Sequence, residues 1–213
     1  MHLIHRGIVN KLFKENLLIS FKQSFKKGYG IETDIHATKD NEFICFHDFT
    51  LKRILKRNLS VKNLNYSKIK EISTKLGKPI PLLKDLLKAS KNKHALFIEI
   101  KPLFSKSLLK KLIIETSKYK KCVFISFKHE NIFNLLNIRK DTKVGLSFCP
   151  PTSVKKIIEK SKNRKINFLI LDKFYLNNKK LENLNIKKFY YTIRSKSEFS
   201  KFKKNNNLIF ENL

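Results

Sequence analysis

Three carboxylates, two imidazoles and two cationic side chains fall in the first half of this sequence at spacings that would let them act together. Glu32 and Asp34 stand two residues apart in one apolar run, and Glu99 and Lys101 stand two apart in another. Residues two apart in an extended strand project to the same side, so each pair would share a face. Three carboxylates converging from neighbouring strands form a site for a hard cation such as Mg2+ or Ca2+, which prefers oxygen ligands. Burying them together without a counterion would be costly. His5 and Arg6 close the first apolar run, and His47 closes another that begins at Phe43. A pair of histidines supplies a proton donor and a proton acceptor, and Arg6 or Lys101 beside them would neutralise phosphate charge. Together these are the parts required for cleaving a phosphodiester.

Something must hold these groups in one place. Short apolar runs rich in Ile, Val and Phe recur at residues 3–7, 30–35, 96–101, 123–127, 144–148, 168–172, 189–193 and 208–211. Buried parallel strands read as continuous apolar runs, and alternation with amphipathic stretches indicates βαβ units. The sequence therefore predicts a single (β/α)8 barrel over residues 1–213. No Pro/Gly-rich break divides the chain, which contains only 5 Gly and 5 Pro. In such a barrel the chemistry sits at the strand C-terminal ends, where His5-Arg6, Glu32-Asp34 and Glu99-Lys101 fall.

The intervening helices carry ordinary signals. Leu17, Leu18, Phe21 and Phe25 share a face ahead of Gly28, and Leu82, Leu83, Leu86 and Leu87 repeat the pattern after Pro81. Ser195 and Glu198 have capping-box spacing. The long connection 48–81 is expected to hold small elements covering one side of the site. No helical stretch follows residues 208–211, so the barrel is expected to lack a final helix and to leave apolar surface on its first and last strands. A homo-oligomer contact is the expected cover.

Composition bounds the partners. No apolar run approaches the roughly 20 residues that span a bilayer, and the N-terminus lacks the pattern of a signal peptide, so a cytoplasmic location is expected. Cys45, Cys122 and Cys149 are odd in number and widely spaced, as suits free thiols. The net charge of +30 invites a nucleic-acid reading, because counterion release rewards any basic surface. Yet only Arg6, Arg53, Arg57, Arg139, Arg164 and Arg194 are Arg among 47 basic residues, whereas phosphate and groove readers favour the bidentate Arg fork. The Lys excess runs through the whole chain together with Asn, Ile and Phe, so no specific nucleic-acid partner is expected. It should raise encounter rates with anionic substrates and make them salt-sensitive.

The order of motifs resembles the glycerophosphodiester phosphodiesterase family. His5-Arg6-Gly7, Glu15-Asn16, Glu32-Thr33-Asp34, Thr38-Lys39-Asp40-Asn41, His47-Asp48, Ile80-Pro81 and Glu99-Ile100-Lys101 follow its pattern in order. The match is strong over residues 3–101 and loose beyond. The resemblance implies one divalent cation, Mg2+ or Ca2+, held by Glu32, Asp34 and Glu99. It implies acid/base roles for His5 and His47 and phosphate contact by Arg6 and Lys101. The implied substrate is a small-molecule glycerophosphodiester, hydrolysed to glycerol 3-phosphate and an alcohol. A phospholipase D-like or lysophospholipid-cleaving enzyme and a non-catalytic polyanion-binding barrel are the alternatives. The chain departs from the pattern in four places: Asn41 replaces Gly, Lys14 replaces Pro, Tyr191 stands where Trp is common, and the pair Glu211-Asn212 replaces Thr-Asp-x-Pro.

Other polar residues admit plainer readings. His36 and His94 are expected to be structural or solvated, Asp48 to be a turn cap, and Asn16 to be a helix N-cap; Glu15 would line the site. If the charge is not a nucleic-acid footprint, duplex DNA should bind weakly, without sequence preference, and steeply less as salt rises. A filter-binding titration showing tight, sequence-selective association at physiological salt would contradict this.

Overall fold

The computed structural model describes residues 1–11 and 13–211. Along the chain run β1 (Leu3–His5), α1 (Leu18–Lys26), β2 (Gly30–Ala37), β3 (Phe43–Cys45), α2 (Lys52–Leu55), α3 (Tyr66–Lys75), α4 (Leu83–Ser90) and β4 (Leu96–Ile100). There follow α5 (Lys106–Thr116), β5 (Cys122–Ser126), α6 (His129–Ile138), β6 (Val144–Phe148), α7 (Val154–Ser161), β7 (Phe168–Asp172), α8 (Lys179–Glu182), β8 (Lys187–Ile193), α9 (Lys196–Phe202) and β9 (Asn207–Phe210). All strands but β3 pair in parallel with their neighbours, and β9 pairs back onto β1 to close the ring. These are the eight apolar runs, and the fold is the expected (β/α)8 barrel.

Two details differ from the sequence expectation. Strand β1 ends at His5 rather than residue 7, because Arg6 and Gly7 both take left-handed conformations, with φ of 57° and 77°. A Cβ at Gly7 would stand 2.9 Å from the backbone carbon of Ser20, so this turn needs glycine for space as well as for φ. Residues 43–45 add an antiparallel strand, β3, on the upper part of β2, with Ala37 opposite Phe43 and Ile35 opposite Cys45. Asn41 turns that hairpin at φ 60°, a conformation Asn accepts.

Side chains alternate along the strands. Leu3, Phe97, Val123, Ile125, Ile170, Phe189 and Ile209 fill the inside of the ring, while their neighbours Ile4, Ile98, Phe124, Leu169 and Leu208 face outward to the helices. Helix α1 buries Phe21 and Phe25 and ends before Gly28, at φ 78°. Ser195 caps α9 by accepting from the N–H of Glu198. The connection between β3 and α4 has a small core of its own, built from Ile44, Phe46, Leu51, Leu55, Val61 and Ile69 with Ile80 and Leu82. Among the described residues no helix follows β9, although Phe199 and Tyr29 pack against Phe210 on its outer side. No helix among them is long and apolar enough to cross a membrane.

Gly30 opens β2 where three strands crowd. A Cβ there would lie 2.6 Å from the carbonyl oxygen of Ala95 and 2.9 Å from Cδ2 of Leu3. That carbonyl also accepts from the N–H of Ile31, so it cannot withdraw without loosening the sheet. Gly30→Ala should destabilise the protein by about 1–3 kcal/mol, the usual scale for overpacking, read as a lower urea midpoint at unchanged slope.

Candidate active site

The three carboxylates meet at the C-terminal mouth of the barrel. Glu32 and Asp34 share the inward face of β2, and Glu99 on β4 stands in register with Asp34. One oxygen from each lies within 4.8 Å of the others, and all three residues are buried. Lys101 Nζ is 2.8 Å from Glu99 Oε1 and 3.5 Å from Asp34 Oδ1. Arg6 Nε forms an ion pair with Asp34 Oδ2 at 3.0 Å, and its Nη1 reaches Glu15 at 3.3 Å.

These surroundings divide the carboxylates. Burial raises the pKa of Asp34, but Arg6 and Lys101 outweigh it and hold the group below its ordinary value. Burial and the charge of Asp34 push Glu32 well up, and the same two causes raise Glu99 to about 7. Oxygen Oε2 of Glu32 is buried without a hydrogen-bond partner, with the His5 imidazole Nε2 3.6 Å away. An unanswered buried acceptor beside two further carboxylates, with no nitrogen or sulfur donor in the cluster, fits a hard divalent cation.

Both histidines are held by a carboxylate through Nδ1. His5 contacts Glu211 Oε2 at 2.8 Å, and Glu211 Oε1 in turn accepts from Arg194 Nε at 2.5 Å. Hydrogen bonding to His5 and Arg194 outweighs burial and pulls Glu211 down to about 2. His47 contacts Asp48 Oδ1 at 2.6 Å. Arg53 donates to both oxygens of Asp48, at 2.7 and 3.0 Å, and to both oxygens of Glu15, at 2.9 and 2.6 Å. The buried His36 imidazole bonds the carbonyl of His47 at 3.0 Å. Burial lowers the pKa of His47, with Asp34 opposing.

Of the seven residues singled out from sequence, His5, Arg6, Glu32, His47, Glu99 and Lys101 line one cavity of about 360 Å3, and Asp34 lies beside them in the carboxylate cluster. Asn16 is not the N-cap expected of it: Leu17 holds that position. Asn16 takes φ 57° and is buried, donating to Asp34 Oδ2 at 3.4 Å and accepting from Thr33 Oγ1 at 2.8 Å. Asp48 engages His47 and Arg53 through its side chain rather than capping a turn. The remaining wall is made by Ser147, Cys149, Asp172, Tyr191, Thr192 and Arg194 together with Ile125, Phe127, Ile170 and Ile209. Sequence reasoning gave these no role, noting only Tyr191 as a departure from the family pattern. The alternation rule used for Glu32 and Asp34 would have placed Ser147, Asp172 and Tyr191 on the inward faces of β6, β7 and β8.

A (β/α)8 barrel with a buried carboxylate cluster and two histidines at its C-terminal mouth has the build of a metal-assisted hydrolase site. The glycerophosphoryl diester phosphodiesterase family pattern matches residues 5–208, and the chain belongs to that family. It is 28% identical over 158 residues to a glycerophosphodiester phosphodiesterase of Caldanaerobacter subterraneus subsp. tengcongensis, an alignment covering 68% of this chain and 65% of that one. The chain thus spans just under two thirds of that relative, and less than half of the others that it matches. Its fold is that of a glycerophosphodiester phosphodiesterase from Thermotoga maritima, with a TM-score of 0.82, 23% identity, and 98% and 92% of the two chains covered. It is equally that of an Oleispira antarctica phosphodiesterase solved with sn-glycerol-3-phosphate, with a TM-score of 0.84, 16% identity, and 99% and 92% covered.

The raised carboxylates make a stability prediction for the cation-free protein. Between about pH 4.5, where an unfolded Glu ionises, and about 7, the folded value for Glu99, the native state binds more protons than the unfolded chain. Their contribution is therefore present in full at low pH and lost as pH rises through that window. Histidines with lowered pKa values, such as His36 and His47, slope the other way, so the comparison needed is with Glu99→Gln. Relative to that variant, the native protein in chelator should lose stability by up to about 1.4 kcal/mol per pH unit, and saturating Mg2+ or Ca2+ should abolish the difference in slope. Parallel profiles in chelator would contradict it.

Proposed function

We propose that this protein hydrolyses a glycerophosphodiester to glycerol 3-phosphate and an alcohol, assisted by one divalent cation, Mg2+ or Ca2+, at Glu32, Asp34 and Glu99. The observation that carries this reading is the convergence of those carboxylates with His5, His47, Arg6 and Lys101 on a single cavity. A bound cation there supplies charge stabilisation to the phosphoryl oxygens. Arg6 and Lys101, both held against Asp34, present fixed positive charge to the same phosphate and need no rearrangement when negative charge develops.

His5 and His47 form the acid/base pair. Each imidazole has its Nδ1 engaged by a carboxylate, Glu211 or Asp48, which fixes the ring and leaves Nε2 as the atom that exchanges a proton. One removes a proton from the attacking oxygen, and the other gives one to the departing alkoxide. The family pattern over residues 5–208 and the Caldanaerobacter relative support the reaction class.

The test is release of glycerol 3-phosphate from a panel of glycerophosphodiesters with Mg2+ or Ca2+. Chelation should abolish turnover, and Glu32→Gln should weaken cation binding while leaving the fold intact. His5→Ala and His47→Ala should each lower turnover by roughly 10²-fold or more, the scale of a lost general acid or base. A nitrophenolate leaving group, which needs no proton, should rescue one of the two and not the other. No release from any diester, with anions still bound, would make the barrel a polyanion binder. Near-native rates for both His variants on a poor leaving group would remove the pair from the mechanism.

A further inference from the structure

The cavity opens onto a face where exposed apolar side chains alternate with lysines. Phe49 is 55% exposed, Leu103 51%, Phe127 39% and Phe174 72%. They belong to four different connections at the same end of the barrel, each at or within two residues of a cavity wall residue: His47, Lys101, Phe127 itself and Asp172. Each also has an exposed lysine within three residues: Lys52, Lys106, Lys128 and Lys173. Two of the rings are braced from below, Phe49 edge-on to His36 and Phe127 edge-on to Tyr191, with centroids 5.0 and 5.9 Å apart. Large apolar groups presented to solvent around one opening are unusual on a protein that stays alone in water.

Four carboxylates near this face are engaged, and Glu130, exposed three residues from Phe127, is not among them. Glu15 and Asp48 are bound by Arg53, Glu211 by Arg194 and His5, and Glu198 by Lys173. Asp172 accepts from the N–H of Phe174. Lys173 is committed to Glu198, whereas Lys52, Lys106 and Lys128 enter none of these ion pairs, so the face keeps three exposed ammonium groups on a chain whose net charge is +30. Lysines around apolar wedges match an anionic lipid surface, where headgroups meet the ammonium groups and the wedges enter the boundary with the acyl chains. Single-stranded nucleic acid fits less well, since it needs planar faces for stacking and favours Arg, and Leu103 offers no such face.

We propose that the rim formed by Phe49, Leu103, Phe127 and Phe174 with Lys52, Lys106 and Lys128 docks the protein onto an anionic lipid surface, cavity mouth first. The proposal goes beyond the hydrolytic reading and is tested by binding alone, without substrate, so either can fail while the other stands.

The sequence contains no Trp, so Phe174→Trp creates a single fluorescent reporter on the rim. Its emission should shift to the blue on vesicles that are roughly one-third phosphatidylglycerol in phosphatidylcholine. Partition should fall about tenfold or more on pure phosphatidylcholine or in high salt, as screening requires. Adding Leu103→Ser should weaken it severalfold. The control is Ile114→Trp, at a side chain 73% exposed in the last turn of α5, toward the opposite end of the barrel; it should not shift. Equal shifts from both reporters would mean adsorption without orientation, and undiminished binding to neutral vesicles would remove the charge from the argument. Either result, or no shift at all, overturns the proposal. So does a single-stranded oligonucleotide that displaces the vesicles and itself binds through Leu103, which would make the rim a nucleic-acid surface.

Discussion

Three carboxylates buried within reach of one another form the constraint on which the rest of this structure depends. Glu32, Asp34 and Glu99 repel, and burial removes the water that would screen them. The arrangement around them answers that repulsion. Lys101 comes from the same inward face as Glu99, so a period of two delivers the cation along with the anion. Arg6 is delivered by the left-handed turn after β1, which folds the guanidinium back over Asp34. The remaining imbalance sits on Glu32, whose Oε2 has no hydrogen-bond partner. A barrel suits such a cluster because β2 is paired on both sides, by β1 and β4, and cannot yield to the repulsion.

The two histidines reach the cavity by different means. His5 ends a barrel strand and inherits the rigidity of the sheet. His47 follows the short hairpin strand β3, outside the ring, and is held by attachments: His36 to its carbonyl, Asp48 to its ring, and Arg53 binding Asp48 to Glu15. Those attachments connect the small core of the long connection to the barrel mouth. The placement of His47 therefore rests on packing around Leu51, Leu55 and Val61, none of which approaches the cavity.

Acidic residues are scarce in this chain, 17 against 47 basic ones. The site engages Glu15, Glu32, Asp34, Asp48, Glu99 and Glu211, each paired with or facing a cationic group or imidazole. The same ionic pairing that organises the interior leaves the lysines of the exterior largely unanswered, so interior order and surface charge have a common origin in composition.

The sequence by itself determined the barrel and pointed to the carboxylates, imidazoles and two cationic groups at the centre of the candidate site. Eight apolar runs appear as eight parallel strands, and Glu32, Asp34, Glu99 and Lys101 could be placed on inward faces because strand geometry has a period of two that needs no tertiary information. His5, Arg6 and His47 stood at the ends of runs and converge in the structure. The tertiary structure alone decided how these groups are held. Asn16 reads as an N-cap from its local context, yet a left-handed turn buries it against Asp34 and Thr33. Glu211 lies 206 residues from the ring it orients, and Arg53 bridges Glu15 and Asp48 across 38 residues of chain. Local periodicity sets the side of a strand from which a residue projects. Which distant residue it meets depends on closure of the ring, which brings β9 beside β1 and which no stretch of sequence contains.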